Sequence, residues 1–137
     1  MQMFPCLDEP HFKSPIDMTI IHEKSKNATL SNMKALKSEP YAPILGWMQT
    51  TYERSVKMVT YLIAILVSDF QCTSTTVSGS GSAAELIVST CASKVHHLKK
   101  HEYSLEVTPE IIQHYEKFLN FKYQLDKVDQ IAIPQFR

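Results

Sequence analysis

The sequence predicts a mainly β chain with some α, and three observations carry that expectation. The apolar run from Met58 to Val67 is filled with β-branched and aromatic residues at Val59, Thr60, Tyr61, Ile63, Ile65 and Val67, the composition of a strand covered on both faces. From Ser14 to about His22 the pattern alternates, with Ile16, Met18 and Ile20 on one face and Asp17, Thr19 and Ile21 on the other, as in a half-buried strand. A single helix start signal, Thr108-Pro109-Glu110, precedes Ile111, Ile112, Tyr115, Phe118 and Leu119 at helical spacing.

At 137 residues, 44% of them hydrophobic and 20% charged, the chain has the composition of a globular protein. Lys plus Arg equals Asp plus Glu at 14 each. No net field then attracts nucleic acid or an anionic membrane surface, which argues against a nucleic-acid binder. The three cysteines, Cys6, Cys72 and Cys91, cannot all pair within the chain, and their number does not define a redox compartment. Met1 to Cys6 lacks the basic and apolar segments of a secretory signal, and no apolar run approaches the length of about 20 residues that spans a bilayer. Asn27-Ala28-Thr29 is an N-glycosylation sequon in the polar turn Glu23 to Asn27.

Taken in order, Phe4 to Pro10 holds two prolines and reads as a rigid corner. Asp8 and Glu9 sit side by side there, but neighbours in an extended corner point apart, so they read as caps rather than as a catalytic carboxylate pair. The alternating strand, the polar turn and a second short strand from Ala28 to Met33 make an expected hairpin. Lys34 to Leu45, with Pro40 and Pro43, reads as an irregular surface connection. Thr50 to Arg54 resumes β character and leads into Met58 to Val67, expected to be the central strand. Ser78-Gly79-Ser80-Gly81-Ser82 is a flexible joint or a tight turn between strands. Glu85 to Cys91 is a strand, and a helix runs from about Thr108 to Asn120, with Gln113, Glu116 and Lys117 turned outward.

Several of these blocks resemble a known family. Phe-Pro-Cys-x-Asp-Glu-Pro-x-x-Lys at Phe4 to Lys13, Ala28-Thr29-Leu30-Ser31-Asn32-Met33, and Lys57 to Leu62 with Val67-Ser68-Asp69-Phe70 are similar to the N-terminal domain of aminopeptidase N-like zinc metallopeptidases, of the gluzincin type. Phe121 to Phe136 resembles the family's Tyr-Pro-Leu-Pro-Lys-x-Asp-x-Ile-Ala-x-Pro-Asp-Phe segment, with Gln124 and Asp126 in place of two prolines. Val59 stands where the family carries Ser. The resemblance implies the later half of an antiparallel, saddle-like β domain over residues 1–80 and the incomplete α/β start of a thermolysin-like catalytic domain over 81–137. It favours the joint over the tight turn at Gly81, and it implies a helix that begins earlier than the local signal, near His101.

The implied activity is removal of N-terminal residues from peptides, with zinc as cofactor in the full-length family. The resemblance places the amine-binding Gly-Ala-Met-Glu-Asn, the His-Glu-x-x-His helix and the remaining zinc ligand beyond Arg137. Catalytic, metal and substrate-binding residues are accordingly expected to be absent from these 137 residues, which leaves Asn27 as the one candidate site, for glycan. Zinc is not expected to bind this chain. His96, His97 and His101 form the one histidine cluster, but no Glu follows His97 as in the motif, and Lys99 and Lys100 would repel a cation. A pair of Cys91 with His96 or His97 lacks an orienting group. The alternative reading is a non-catalytic short form that binds protein, by pairing with a full-length relative. The family implies the extracellular face of the plasma membrane or secretion, with the cytoplasm as the alternative. Because the elements that cover residues 83–137 are expected elsewhere, that stretch is expected to exchange amide hydrogens faster than Met58 to Val67.

Overall fold

In the computed structural model, which describes residues 4–79, 85–93 and 102–133, the chain is mainly β with one helix. It divides into two compact units, Met1–Ser68 and Asp69–Arg137.

In the first unit the alternation read from the sequence holds over strand β2, Thr19–Glu23, following the short β1, Lys13–Ser14. Ile20 and His22 point inward, while Ile21 is 42% exposed. Strands β3 (Ala28–Ser31), β4 (Ala35–Pro40) and β5 (Trp47–Tyr52) come next. The expected hairpin between β2 and β3 does not form. β2 pairs antiparallel with β5, opposing Ile20 to Thr50 and His22 to Met48, and β5 pairs on its other edge with β4. The stretch expected to be irregular therefore supplies a strand. Long-range pairing prevails because β5 presents two inward residues, Thr50 and Tyr52, that cover the inward residues of β2. Pro40 stands at the last position of β4, where a missing donor is tolerated. Gly46 supports the turn into β5 with a φ of +83°, a conformation that suits a residue without Cβ.

The run Met58 to Val67 is not one central strand. It is split into β6 (Met58–Val59), a 3₁₀ turn (Thr60–Leu62) and β7 (Ile65–Ser68). β6 pairs with β1 and β7 with β3, all antiparallel. Side-chain bonds hold the break. The Asn32 amide donates to the Leu62 carbonyl at 3.0 Å and accepts from Ala64 N–H at 2.8 Å, and the Thr60 hydroxyl donates to Asp8 at 2.7 Å. These polar anchors reverse the chain where an apolar pattern alone predicts continuation. Tyr61 and Leu62 consequently lie half exposed, and only Val59 of the run is buried.

The second unit begins with β8 (Gln71–Ser78) and β9 (Glu85–Ala92), which pair antiparallel in continuous register from Gln71 opposite Ala92 to Ser78 opposite Glu85. The serine and glycine stretch thus joins two neighbouring strands of one sheet. The compact units divide ahead of it, between Ser68 and Asp69. Helix α1 (Glu102–Leu119) follows, and β10 (Lys127–Ala132) returns parallel to β9, so the sheet order is β10-β9-β8. A parallel return needs a crossover, and α1 supplies it.

The helix starts at Glu102, near where the family resemblance implied, and not at Thr108. Pro109 is interior and brings no N–H of its own to the ladder. The Thr108 hydroxyl donates to the Ser104 carbonyl at 2.6 Å instead of capping the helix. The apolar face is also placed differently from expectation. Ile111, Tyr115, Phe118 and Leu119 are exposed, whereas Thr108, Pro109 and Glu116 are buried. Asn120, at φ 49°, ends the helix in the left-handed region. Strand β9 forms the core, with Val88 and Cys91 fully buried and Leu86, Thr90 and Ala92 nearly so.

This distribution reverses the expected order of protection. In hydrogen exchange, the amides of Glu85–Ala92 are expected to outlast those of Met58 to Val67, because β9 is bonded on both edges and the split run is not. Equal or faster exchange in β9 would show that the sheet does not form the stable centre of the chain.

Candidate functional site

Asn27 lies exposed in the bend between β2 and β3, where a sequon is accessible. Asp8 and Glu9 do not act together. Asp8 accepts the Thr60 hydroxyl bond, which lowers its carboxyl below the ordinary range, while Glu9 lies 3.5 Å from His11 at the surface. His96, His97 and His101 fall outside the described residues. Cys91 is joined to Cys72 in a disulfide, directly across the β8–β9 pair, so a nucleophilic Cys91 is excluded in this state. Among the described residues no group of three His, Cys, Asp or Glu is placed to hold a metal ion. None of the described residues is therefore assigned a role toward zinc.

Four polar arrays, each with a buried member, escaped the sequence reading. In the first unit, His22 Nδ1 lies 3.0 Å from the Glu23 carbonyl and Nε2 lies 3.0 Å from Thr50 Oγ1. A carbonyl only accepts, so Nδ1 donates to it. The Thr50 hydroxyl also shares a hydrogen bond with the Ser38 hydroxyl, 3.0 Å away. The chain of bonds ties β4, β5 and β2 together. Ser38 meets Thr50 and not the imidazole, so the array makes a structural tie.

In the second unit, Gln130 on β10 bonds through its Oε1 to Ser104 and Thr90 and through its Nε2 to Thr108, which fastens the helix to the sheet. Glu116 is held inside by Tyr123 N–H, 2.8 Å from its Oε1. Its carboxylate so closes the turn after the helix, where Gln124 and Asp126 replace the family's prolines. The Gln124 side chain donates to the Lys122 carbonyl at 2.8 Å, and the Asp126 carbonyl accepts from Ile87 N–H at 2.9 Å.

Lys127 is buried against Asp129, and the Tyr123 hydroxyl donates to the Lys127 carbonyl at 3.2 Å. Spacing of two residues on a strand places Lys127 and Asp129 on one face, the one sign of this pair legible in advance. Burial, and then the charge of Asp129, push the Tyr123 phenol above its ordinary value.

Sequence comparison sets these arrays in a family. Residues 1–62 match the peptidase M1 N-terminal domain. Over 135 residues the chain is 38% identical to glutamyl aminopeptidase of Sus scrofa, a match that covers 97% of this chain and 13% of the relative. The chain belongs to the peptidase M1 family. It is also 38% identical over 133 residues to endoplasmic reticulum aminopeptidase 2 of Bos taurus, covering 97% of this chain and 13% of that protein. Endoplasmic reticulum aminopeptidase 1 of Homo sapiens is 32% identical over 134 residues, covering 98% of this chain and 13% of the relative. This M1 chain thus spans about an eighth of the length of these relatives, 13% in each case. No helix among its described residues is long and apolar enough to cross a membrane.

The raised Tyr123 phenol has a consequence for stability. In the unfolded chain this phenol ionises near pH 10, at about its ordinary value, while in the folded chain it stays protonated to higher pH. The folded state then holds the extra proton, so the contribution is complete below about pH 10 and is lost as pH rises through the folded value. Denaturation midpoints measured from about pH 8 to about pH 11 should fall less steeply in Tyr123→Phe than in the parent. At neutral pH the variant should lose about 1 kcal/mol with the hydrogen bond. Identical slopes would show that Tyr123 is not buried as described.

Proposed function

We propose that this chain is part of a zinc-dependent aminopeptidase that removes N-terminal residues from peptides, and that its role there is to scaffold chemistry performed by residues outside it. In this reading residues 1–80 are the later part of the saddle-like β domain and residues 81–137 open the thermolysin-like catalytic domain. The observation that carries the proposal is the alignment with aminopeptidases, which runs through both compact units in a single stretch covering 97% of the chain. The helix start near His101, expected from the family and not from local propensity, supports the same reading.

The test uses the 137-residue chain itself. With stoichiometric zinc it should release no arylamine from leucyl, alanyl or glutamyl arylamides, and joining it to the remainder of an M1 relative should restore release. Metal-dependent turnover by the chain alone that is lost in His97→Ala with His101→Ala would overturn the scaffold role. Failure of the joined protein to turn over, together with specific capture of a full-length relative by the isolated chain, would favour the non-catalytic short form instead.

The protein is further proposed to reach the extracellular face of the plasma membrane or the secreted space, with glycan on Asn27. Two independent features support this route: the sequon is exposed in a bend, and Cys72 and Cys91 form a disulfide, a bond that persists in oxidising compartments. Expression through a secretory pathway should give a species whose added mass is removed by an N-glycosidase and is missing in Asn27→Gln. An unmodified product from the parent sequence would refute use of this sequon.

A further inference from the structure

Strand β8 has one neighbour, β9, so among the described residues its outer edge presents unpaired backbone N–H and C=O groups. Helix α1 joins two parallel strands, β9 and β10, and therefore runs antiparallel to both, in the direction of β8. Between α1 and β8 lies a groove of about 550 Å³, within the usual range for a ligand site. Val77, Leu105 and Pro109 supply its apolar surface, and Thr75 and Ser78 add hydroxyls along the strand.

The helix wall of this groove is acidic. Glu102, Glu106 and Glu110 recur every four residues on the flank that lines it, all three exposed. Among the described residues no ion pair neutralises them. Four helical residues rise about 6 Å, and alternate residues of an extended strand lie about 6.7 Å apart. A row of glutamates on successive turns therefore matches, in spacing, every second side chain of a strand laid beside it.

The geometry points to a binding site for an extended basic peptide, one with Lys or Arg at alternate positions. Such a peptide adds as a strand to the outer edge of β8. Its backbone bonds to Thr75–Ser78 give affinity, and its cationic side chains reach Glu102, Glu106 and Glu110 across the groove. The stems of those cationic side chains pass over Val77 and Leu105, while the intervening side chains point to the opposite face of the sheet. The site lies wholly within Asp69–Arg137 and does not depend on the peptidase reading.

The probe is an acetylated, amidated and fluorescently labelled Lys-Thr-Lys-Thr-Lys-Thr-Lys-Thr, titrated with the full chain and followed by anisotropy. Binding is expected, with amide shift changes centred on Thr75 and Val77 in the unmutated chain. A block peptide of the same composition, Lys-Lys-Lys-Lys-Thr-Thr-Thr-Thr, should bind about tenfold more weakly, as should the alternating peptide to Glu102→Gln/Glu106→Gln/Glu110→Gln. N-methylation of alternate peptide amides should abolish binding, since it removes the donors to β8. These glutamates are exposed, so the triple variant should retain the parent circular dichroism; if it does not, the block and N-methyl peptides decide on the unmutated chain. No binding at about 1 mM, equal binding of the block peptide, or shift changes away from β8 would overturn the proposal.

Discussion

Strand β9 must satisfy hydrogen bonds on both edges at once, antiparallel to β8 and parallel to β10. The parallel edge imposes most of the second unit. A strand cannot return parallel to its neighbour through a tight turn, so a long crossover is required, and the crossover has to pack on the sheet. Val88 and Cys91 are fully buried as a result, and the helix turns Thr108 and Pro109 toward the sheet. The same constraint makes a proline tolerable inside α1. One backbone bond is forfeited, but the buried position of Pro109 and the neighbouring bonds of Thr108 to Ser104 and Gln130 hold the helix in place.

Polar groups in both units do work that the apolar pattern cannot. The chain Ser38–Thr50–His22 crosses three strands, and the Gln130 amide joins a strand to a helix. Such arrays give a particular register a value that sliding by one residue would forfeit, because each buried donor or acceptor left alone costs about 1–3 kcal/mol. Glu116 illustrates the point. A carboxylate read as solvent-facing is buried, and it meets the N–H of Tyr123 in the turn after the helix.

The proposed scaffold role draws on the following arrangement. Among the described residues His22 with Thr50, and Gln130 with Thr90, Ser104 and Thr108, are bonded to one another, and the disulfide ties an edge strand to the central one. One open surface of the second unit is the acidic groove beside β8, where charge meets unpaired strand backbone.

Residue by residue, the sequence by itself determined the β-rich class, the alternation that buries Ile20 and His22, the strand at Glu85 to Cys91, the exposed turn at Asn27, and the family, through Phe4 to Lys13 and Phe121 to Phe136. These depend on periods and motifs local enough to read along one chain. Tertiary structure alone decided that β2 pairs with β5 and not β3, that Met58 to Val67 breaks at Thr60, that Cys72 faces Cys91, and that α1 hides Glu116 while exposing Phe118. Each of those outcomes turns on a partner distant in sequence: Thr50 for His22, Asn32 for Leu62 and Ala64, β9 for β8, Tyr123 for Glu116. Local pattern states which residues prefer burial, but the identity of the covering group is set only when the chain has folded back on itself.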